Sequence, residues 1–257
     1  MEKGSDLERA LKLSLFVVPA ALIGGYFTAV ELLHTQSQDA QKILLSKAGG
    51  YVAYLVTVTL QTTIMAFICG VIGYFISNRI GLMKPFVLEK AKLVNTIFVA
   101  LGCGIFFSSD YWIFGSYYPI IQTTYNALSV NRILSEIFYG GVVEEIMIRL
   151  FLMSLVALVI WKLFYKKVSK EEIPVKVFFI ANFITALLFA LGHLPATVLL
   201  FGSITPVLLL RCLFYNGCFG LVFGVIYQKY GIQYAIITHI GCHIVANIIW
   251  VIASVLT

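Results

Sequence analysis

Seven long apolar runs constrain this chain more than any other feature of its sequence. The hydrocarbon core of a bilayer is about 30 Å thick, and a helix needs roughly 20 apolar residues to cross it. Because a backbone in lipid must satisfy its own hydrogen bonds, each run predicts a transmembrane helix. The sequence therefore predicts an all-α, polytopic transmembrane helix bundle. The predicted spans are residues 13–33, 51–77, 93–109, 136–161, 175–193, 204–228 and 232–255.

The composition excludes a water-soluble protein. Of the 257 residues, 60% are hydrophobic and 12% are charged, whereas soluble globular proteins carry roughly 25% charged residues. The five cysteines lie singly in apolar stretches without a paired spacing, which favours packing over metal or redox chemistry. No linker or internal repeat interrupts the chain, so residues 1–257 are expected to form a single integral membrane domain.

The stretch from residue 110 to 126, DYWIFGSYYPIIQTTYN, differs from the predicted spans. It is rich in aromatic and polar residues and contains Pro119. Tyr and Trp favour the level of the lipid head groups, so this stretch predicts a re-entrant or interfacial segment. An eighth span is the alternative.

The net charge of +6 comes from basic residues near the N-terminus and in the loops 78–92 and 162–176. Seven spans place all three regions on the cytoplasmic side, as the positive-inside rule expects, whereas an eighth would export the most basic loop. The chain is thus expected to be a multi-pass protein of a prokaryotic plasma membrane with a cytoplasmic N-terminus. The basic loops would contact anionic lipids of the bilayer, and no sequence feature indicates nucleic acid.

Polar residues inside the predicted spans are the candidates for function. A charged side chain there costs at least about 2.5–3.5 kcal/mol on insertion scales and is a functional candidate by default. Three spans concentrate such residues. They are Glu144, Glu145 and Arg149, then His193, and finally His239, His243 and Asn247.

Helical spacing separates the two adjacent glutamates. Glu145 and Arg149 lie four residues apart on one helix face, so they can pair. Glu144 points about 100° away and lacks that partner, which leaves it free for chemistry. On the last span, His239, His243 and Asn247 recur every four residues and form a polar stripe.

A carboxylate and several imidazoles in a low-dielectric cavity can activate water in two ways. Glu144, His193 and either His243 or His239 could hold Zn²⁺ with one open position for water. Alternatively, Glu144 acts as a general base without a cofactor while His and Asn donate to an oxyanion. Both arrangements suit hydrolysis of a peptide bond within or at the membrane.

These motifs resemble those of a known family of intramembrane endopeptidases. EEIMIR at residues 144–149 is similar to the EExxxR motif of the CAAX protease and bacteriocin-processing (CPBP, or Abi) family, and FALGH at 189–193 is similar to its FxxxH motif. The family's last motif is a His followed four residues later by Asn or Asp. Two registers fit it, one starting at His239 with His243 in place of the Asx residue, and one pairing His243 with Asn247. The resemblance covers residues 130–255, the expected catalytic core.

The resemblance implies a role for each residue. Glu144 would be the base, Glu145 and Arg149 its support, and His193 the neighbour of the water, while the last motif would polarise the scissile carbonyl. The implied partner is a peptide or protein tail at the membrane, prenylated in some relatives. Members are often labelled metalloproteases, yet a metal-independent glutamate mechanism has been proposed for relatives.

Two other functions remain open from the sequence. The Glu/His cluster could serve as the relay of a proton-coupled membrane transporter, or the chain could be a non-catalytic membrane scaffold or immunity protein. Other polar residues have structural interpretations that need no catalytic role. Arg132 and Glu136 fit an interfacial ion pair, and Arg211 and Asn216 fit residues that line a cavity or snorkel to the interface.

Overall fold

The computed structural model describes residues 5–256, and helices dominate this part of the chain. We number the helices α1 to α11 in chain order and treat the continuous helix that carries both glutamates as α7. The bounds are α1 Asp6–His34, α2 Gln38–Ala48, α3 Tyr51–Arg79, α4 Lys90–Ser108, α5 Asp110–Ile113, α6 Pro119–Asn126, α7 Val130–Phe164, α8 Val175–Gly192, α9 Leu194–Phe201, α10 Pro206–Tyr230 and α11 Ile232–Leu256. A short 3₁₀ turn, Lys170–Glu172, lies between α7 and α8.

The predicted polytopic helix bundle is confirmed. Seven helices are long and apolar enough to cross a membrane, and they coincide with the seven predicted runs. They are α1, α3, α4 continued by α5, α7, α8 continued by α9, α10 and α11. Within residues 5–256 the secondary structure is helical and contains no β-strand.

The stretch from 110 to 126 does not form an eighth long helix. It folds into the two short helices α5 and α6, joined by a turn. Pro119 is the first residue of α6, where its fixed φ suits the first helical turn and its missing N–H costs nothing. Helix α2 is an element that the apolar runs did not predict. Ser37 caps its start, and Gly49 ends it in the left-handed region with φ 82°.

Helix α7 lies at the centre of the bundle. It packs against α1 and α3 on one side and against α8 and α11 on the other. Fully buried apolar side chains fill these contacts, among them Val143, Ile146, Leu150 and Met153. The other close pairs are α1 with α3, α4 with α11, and α8 with α10. The catalytic candidates of α7 are therefore surrounded by the helices that carry the histidines.

Two glycines let α8 and α10 approach closely. A Cβ atom added at Gly220 would lie 2.8 Å from the Cα of Ala186, and one at Gly224 would overlap the side chain of Asn182. The Asn182 amide also donates to the carbonyl oxygen of Leu221 at 2.9 Å. Small residues commonly permit such contact between membrane helices, so this GxxxG pattern serves packing and brings α10 against the helix that carries His193.

A buried ion pair anchors the α5–α6 segment to α10. Arg211 donates from Nε to Asp110 Oδ1 at 2.7 Å and from Nη2 to Oδ2 at 2.5 Å. The Tyr125 hydroxyl donates to Asp110 Oδ2 at 2.5 Å, and its ring stacks on Trp250 with centroids 3.7 Å apart. Burial, reinforced by the Asp110 charge, raises the pKa of Tyr125, so the phenol stays protonated as a donor. This network fixes the α5–α6 segment next to the N-terminal end of α7.

Replacing Arg211 by Leu is expected to destabilise the protein strongly. The change leaves the Asp110 carboxylate, which is 0% exposed, without its charge partner, and breaking a buried ion pair costs about 3–5 kcal/mol. Thermal unfolding in detergent should show a clear decrease in the midpoint temperature. Arg79→Leu, at an exposed position, is the matched control and should have little effect. Equal midpoints for the two variants would contradict the anchoring role.

Candidate active site

The polar residues of four helices meet around one cavity of about 220 Å³. Its floor and rim also include aromatic rings from α4, α8 and α10, which give it largely apolar walls. Polar groups in such walls are the usual composition of a ligand or substrate site. The carboxylate, imidazole and amide side chains that line it are Glu136, Glu144, His193, Asn216, His239 and His243, and the hydroxyl groups are those of Ser135 and Tyr139.

Helix α7 changes its backbone geometry where it forms the cavity wall. Its segments Glu136–Glu144 and Ile146–Met153 have π-helical hydrogen bonding, while both ends of the helix are α-helical. Such i→i+5 stretches are rare and occur frequently at functional sites. Glu136, Gly140 and Glu144 lie four residues apart and all face the cavity. The unusual stretch therefore coincides with the candidate site.

Glu145 is completely buried and held by two partners. Its Oε1 atom accepts from His239 Nδ1 at 2.9 Å and lies 3.2 Å from Arg149 Nη1. Glu145 is 0% and Arg149 1% exposed. Arg149 also donates to the carbonyl oxygen of Gly220 at 3.2 Å. Glu145 thus links α7 to the histidine helix, in keeping with a supporting position.

Glu144 has no such partner. Within residues 5–256 its carboxylate makes no hydrogen bond and no ion pair, although it lines the cavity wall. The adjacent glutamates therefore differ sharply, since one is fixed in the protein interior and the other faces the cavity. A carboxylate that is free and faces a small cavity can accept a proton from a bound water.

The hydrogen bonds of His193 and His239 define which ring nitrogens face the cavity. His193 Nδ1 lies 2.8 Å from the carbonyl oxygen of Phe189, and because that oxygen can only accept, we assign the proton to Nδ1. The Glu145 carboxylate assigns a proton to His239 Nδ1 in the same way. In the neutral form of each ring, Nε2 is then an acceptor. Both imidazoles can therefore offer a lone pair to a water in the cavity.

His239 and His243 stack one turn apart on α11. Their ring centroids are 5.0 Å apart with an interplanar angle of 19°. Their Nε2 atoms point towards Gly140, where an added Cβ atom would lie 3.8 Å from the first and 3.3 Å from the second. A side chain at Gly140 would therefore narrow the space in front of both rings.

Glu136 belongs to the site, although the sequence alone favoured an interfacial ion pair. It does pair with Arg132, whose Nε lies 2.8 Å from Oε1. Its other oxygen, Oε2, accepts from the amide of Asn247 and lies 3.7 Å from His243 Nδ1. The four-residue spacing from Glu136 through Gly140 to Glu144 was the signal that could have identified it.

Asn247 lies apart from the cavity that contains Glu144. It lines a second, mostly apolar hollow of about 290 Å³, to which Glu136 and His243 also contribute. Of the polar stripe on α11, the main cavity thus receives His239 and His243. A third hollow of about 190 Å³ adjoins the site at His193 and Asn216 and is lined by Arg211.

The described residues do not assemble a metal site. Carboxylate and imidazole are suitable ligands for Zn²⁺, but nowhere in residues 5–256 do three or more His, Cys, Asp or Glu side chains meet in an arrangement that could hold an ion. The arrangement thus does not fit the metal that the sequence left open with Glu144, His193 and His243 or His239 as ligands.

The comparison with protein-family models identifies this region. Residues 126–247, nearly half of the chain, match the family described as Rce1-like, type II CAAX prenyl endopeptidase Rce1-like. The match contains every residue of the cavity wall on α7, α8, α10 and α11 that is discussed above, and it confirms the resemblance to CPBP endopeptidases. In general terms it supports an intramembrane endopeptidase of the CAAX type. No curated protein and no solved structure matched the chain.

The two glutamates are expected to respond differently to removal. Glu145→Ala leaves the Arg149 charge buried without its partner, which should cost about 3–5 kcal/mol of folding stability. Glu144→Ala removes no contact of this kind and should change stability much less. Thermal unfolding of both variants in the same detergent gives the comparison, and an equal decrease for the two would contradict the division between a fixed and a free carboxylate.

Proposed function

Because residues 126–247 match the Rce1-like CAAX endopeptidase family model, we propose that this chain hydrolyses a peptide bond at the membrane with a water activated by Glu144. One observation carries the proposal. The unpartnered carboxylate of Glu144 shares a small cavity with His193, His239 and His243. General base catalysis needs a free proton acceptor within reach of a bound water, and the cavity has room for one between these groups.

The first step generates the nucleophile. A water donates one proton towards Glu144 and is oriented by the Nε2 lone pair of His193, whose Nδ1 proton is fixed on the Phe189 carbonyl. As Glu144 takes the proton, the water oxygen attacks the carbonyl carbon of the substrate. The aromatic walls around the water, Phe189 and Phe223 among them, lower the local dielectric and strengthen this interaction.

The second step requires a donor to the carbonyl oxygen as it becomes negative. His239 and His243 present their Nε2 atoms to the cavity near Gly140. A ring with a proton on Nε2 can stabilise an oxyanion, and for His239, whose Nδ1 proton is held by Glu145, this form is the imidazolium. In this proposal the last motif takes the register of His239 and His243, and Asn247 takes a supporting position. The carboxylate of Glu145 behind His239 orients that ring, as an acidic partner orients the histidine of a catalytic triad.

The surroundings of the site favour a substrate with an apolar anchor. The hollow next to Glu136 and His243 is lined mainly by aliphatic residues of α7 and α11, among them Ile133, Ile244 and Ile248. Several of these side chains are exposed on the outer face of the bundle, including Ile248 at 54%. A peptide or protein tail that carries a prenyl group could place the lipid in this hollow and its scissile bond in the main cavity.

The position of the cavity along the bundle indicates on which side of the membrane the site lies. Glu136 lies near the start of α7 and His193 just past the end of α8, at the end of the bundle where Asp110 meets Arg211. The basic loops 78–92 and 162–176 lie at the opposite end of the spans that flank them. By the positive-inside rule, we place these loops and the N-terminus in the cytoplasm of a prokaryotic cell and the site in the outer half of its plasma membrane.

Glu144→Gln is expected to abolish cleavage while preserving the fold. Gln keeps the size of the side chain but cannot accept the proton, and general base catalysis contributes about 10²- to 10⁴-fold. The assay is cleavage of a quenched fluorescent peptide with a farnesylated CAAX end by the full chain in proteoliposomes. Glu171→Gln, in an exposed loop, is the control and should retain full activity. Full activity of Glu144→Gln, or solute uptake driven by a pH gradient without proteolysis, would contradict the proposal.

The prenyl group should improve the use of a substrate, and Ile248→Trp should remove the advantage. Filling or losing an apolar subsite changes specificity by about 10- to 200-fold, so kcat/KM for the farnesylated peptide should exceed that for the same peptide without the lipid at least tenfold. Ile248→Trp should lower kcat/KM for the farnesylated peptide only. Ile105→Trp, at a similarly exposed site on α4, is the control. Equal use of both peptides by the unmodified protein would exclude a prenyl subsite in this hollow.

A further inference from the structure

His243 has a carboxylate neighbour of its own that none of the sequence motifs includes. The Nδ1 atom of His243 is buried and makes no hydrogen bond, and it lies 3.7 Å from Glu136 Oε2. Both side chains are mostly buried, at 17% and 16% exposed. A buried ring nitrogen without a hydrogen bond is costly, and the Glu136 carboxylate is the charged group that it faces.

The surroundings of Glu136 repeat those of Glu145. In each case an arginine four residues away on α7 pairs with the glutamate, and the glutamate in turn faces an imidazole of α11. The first set is Arg149, Glu145 and His239, and the second is Arg132, Glu136 and His243. The two stacked rings therefore each have a carboxylate behind Nδ1 and the shared cavity in front of Nε2.

An imidazole and a carboxamide at position 243 differ in the charge that each needs in order to donate a hydrogen bond into the cavity. In the family pattern an Asn can occupy this place, and its amide donates a hydrogen bond while it remains neutral. A neutral imidazole with its proton on Nδ1 has only a lone pair at Nε2, so it cannot donate to an oxyanion. An imidazolium donates from both nitrogens. Burial of His243 and the nearby Arg132 charge oppose this form, and the Glu136 carboxylate near Nδ1 is the group that favours it.

We propose that Glu136 is a positioning residue that favours the protonated form of His243, whose Nε2–H donates to the carbonyl oxygen of the substrate. The inference rests on the proposed function and deepens it. Asn247 and Arg132 keep the Glu136 carboxylate in place, since the amide of Asn247 donates to Oε2 and Arg132 donates to Oε1. The His243 ring thus faces Glu136 on one side and the cavity on the other.

The protons and electrons of the reaction balance with these groups. Water loses a proton to Glu144, and its oxygen forms a bond to the carbonyl carbon as the C=O electron pair moves to the oxygen, which accepts the His243 hydrogen bond. When the intermediate collapses, that pair reforms C=O and the C–N bond breaks. The leaving nitrogen then takes the proton that Glu144 had received. His243 stabilises charge throughout and returns unchanged.

A double-mutant cycle tests the assignment. Glu136→Gln should lower kcat about 10²-fold with KM within about twofold, which is the effect of losing one oxyanion donor. In a His243→Asn background, where a neutral amide replaces the imidazolium, the same change should lower kcat less than about threefold, because interacting residues are not additive. The assay uses the farnesylated peptide in proteoliposomes, and thermal unfolding checks each variant.

The possible outcomes separate the two proposals. Equal losses from Glu136→Gln in both backgrounds would show that Glu136 only holds Arg132 and Asn247 in place, and this would overturn the inference. Full activity of Glu144→Gln would instead overturn the proposed function. Glu136→Asp provides a second route if Glu136→Gln does not fold. Asp keeps the negative charge, but its shorter side chain places the carboxylate farther from His243. Glu136→Asp should therefore lower kcat by an intermediate factor in the otherwise unmodified chain. In the His243→Asn background it should have little effect.

Discussion

The pairing of charges inside an apolar bundle is the constraint on which the rest of this structure depends. Helix α7 carries charged side chains within its span, and each charge taken into lipid or the protein interior is costly unless it finds a partner. Arg132 pairs with Glu136, and Arg149 pairs with Glu145. These pairs allow a helix with two arginines to lie at the centre of the bundle. Glu144 remains as the carboxylate of this helix without a partner among residues 5–256.

The contrast between the unpartnered Glu144 and the paired Glu145 explains how one helix can carry both a reactive carboxylate and a stabilising one. If Glu144 had an arginine of its own, its charge would be stabilised and it would be a poor proton acceptor. If Glu145 lacked Arg149 and His239, a buried charge would destabilise the centre of the fold. Two adjacent glutamates therefore have opposite requirements, and the helix meets both because consecutive residues point in different directions.

Much of this arrangement could be predicted from the sequence because it depends on local spacing. The seven spans follow from the length of the apolar runs, and the pair of Glu145 and Arg149 follows from a four-residue separation on one helix. The same spacing places Glu136 on the face of α7 that carries Glu144, but the contacts of Glu136 with α11 could not be derived in this way. Its bond to Asn247 joins residues 111 positions apart, and its neighbour His243 lies on the same distant helix. Periodicity places a residue on a face of its own helix, but it does not reveal which helix will cover that face.

The same reasoning applies to the anchor of α5 and α6. Arg211 and Asp110 are 101 positions apart, and each looked like an isolated charge at the edge of an apolar run. The predictions from the sequence, an arginine that lines a cavity or snorkels and a re-entrant or interfacial segment from residue 110 to 126, were reasonable because the interface offers water to either charge alone. Only the packing of α10 against the segment after α4 removes that water.

The polar stripe of α11 shows how tertiary packing divides residues that periodicity groups together. His239, His243 and Asn247 share one face, yet His239 is bonded to Glu145, His243 faces Glu136, and Asn247 lies behind Glu136 beside an apolar hollow. The division arises because α7 presents two carboxylates to this face at different heights, and each of them captures the side chains nearest to it. A stripe of equivalent polar residues thus acquires distinct positions, and any difference in their roles originates in α7 rather than in α11 itself.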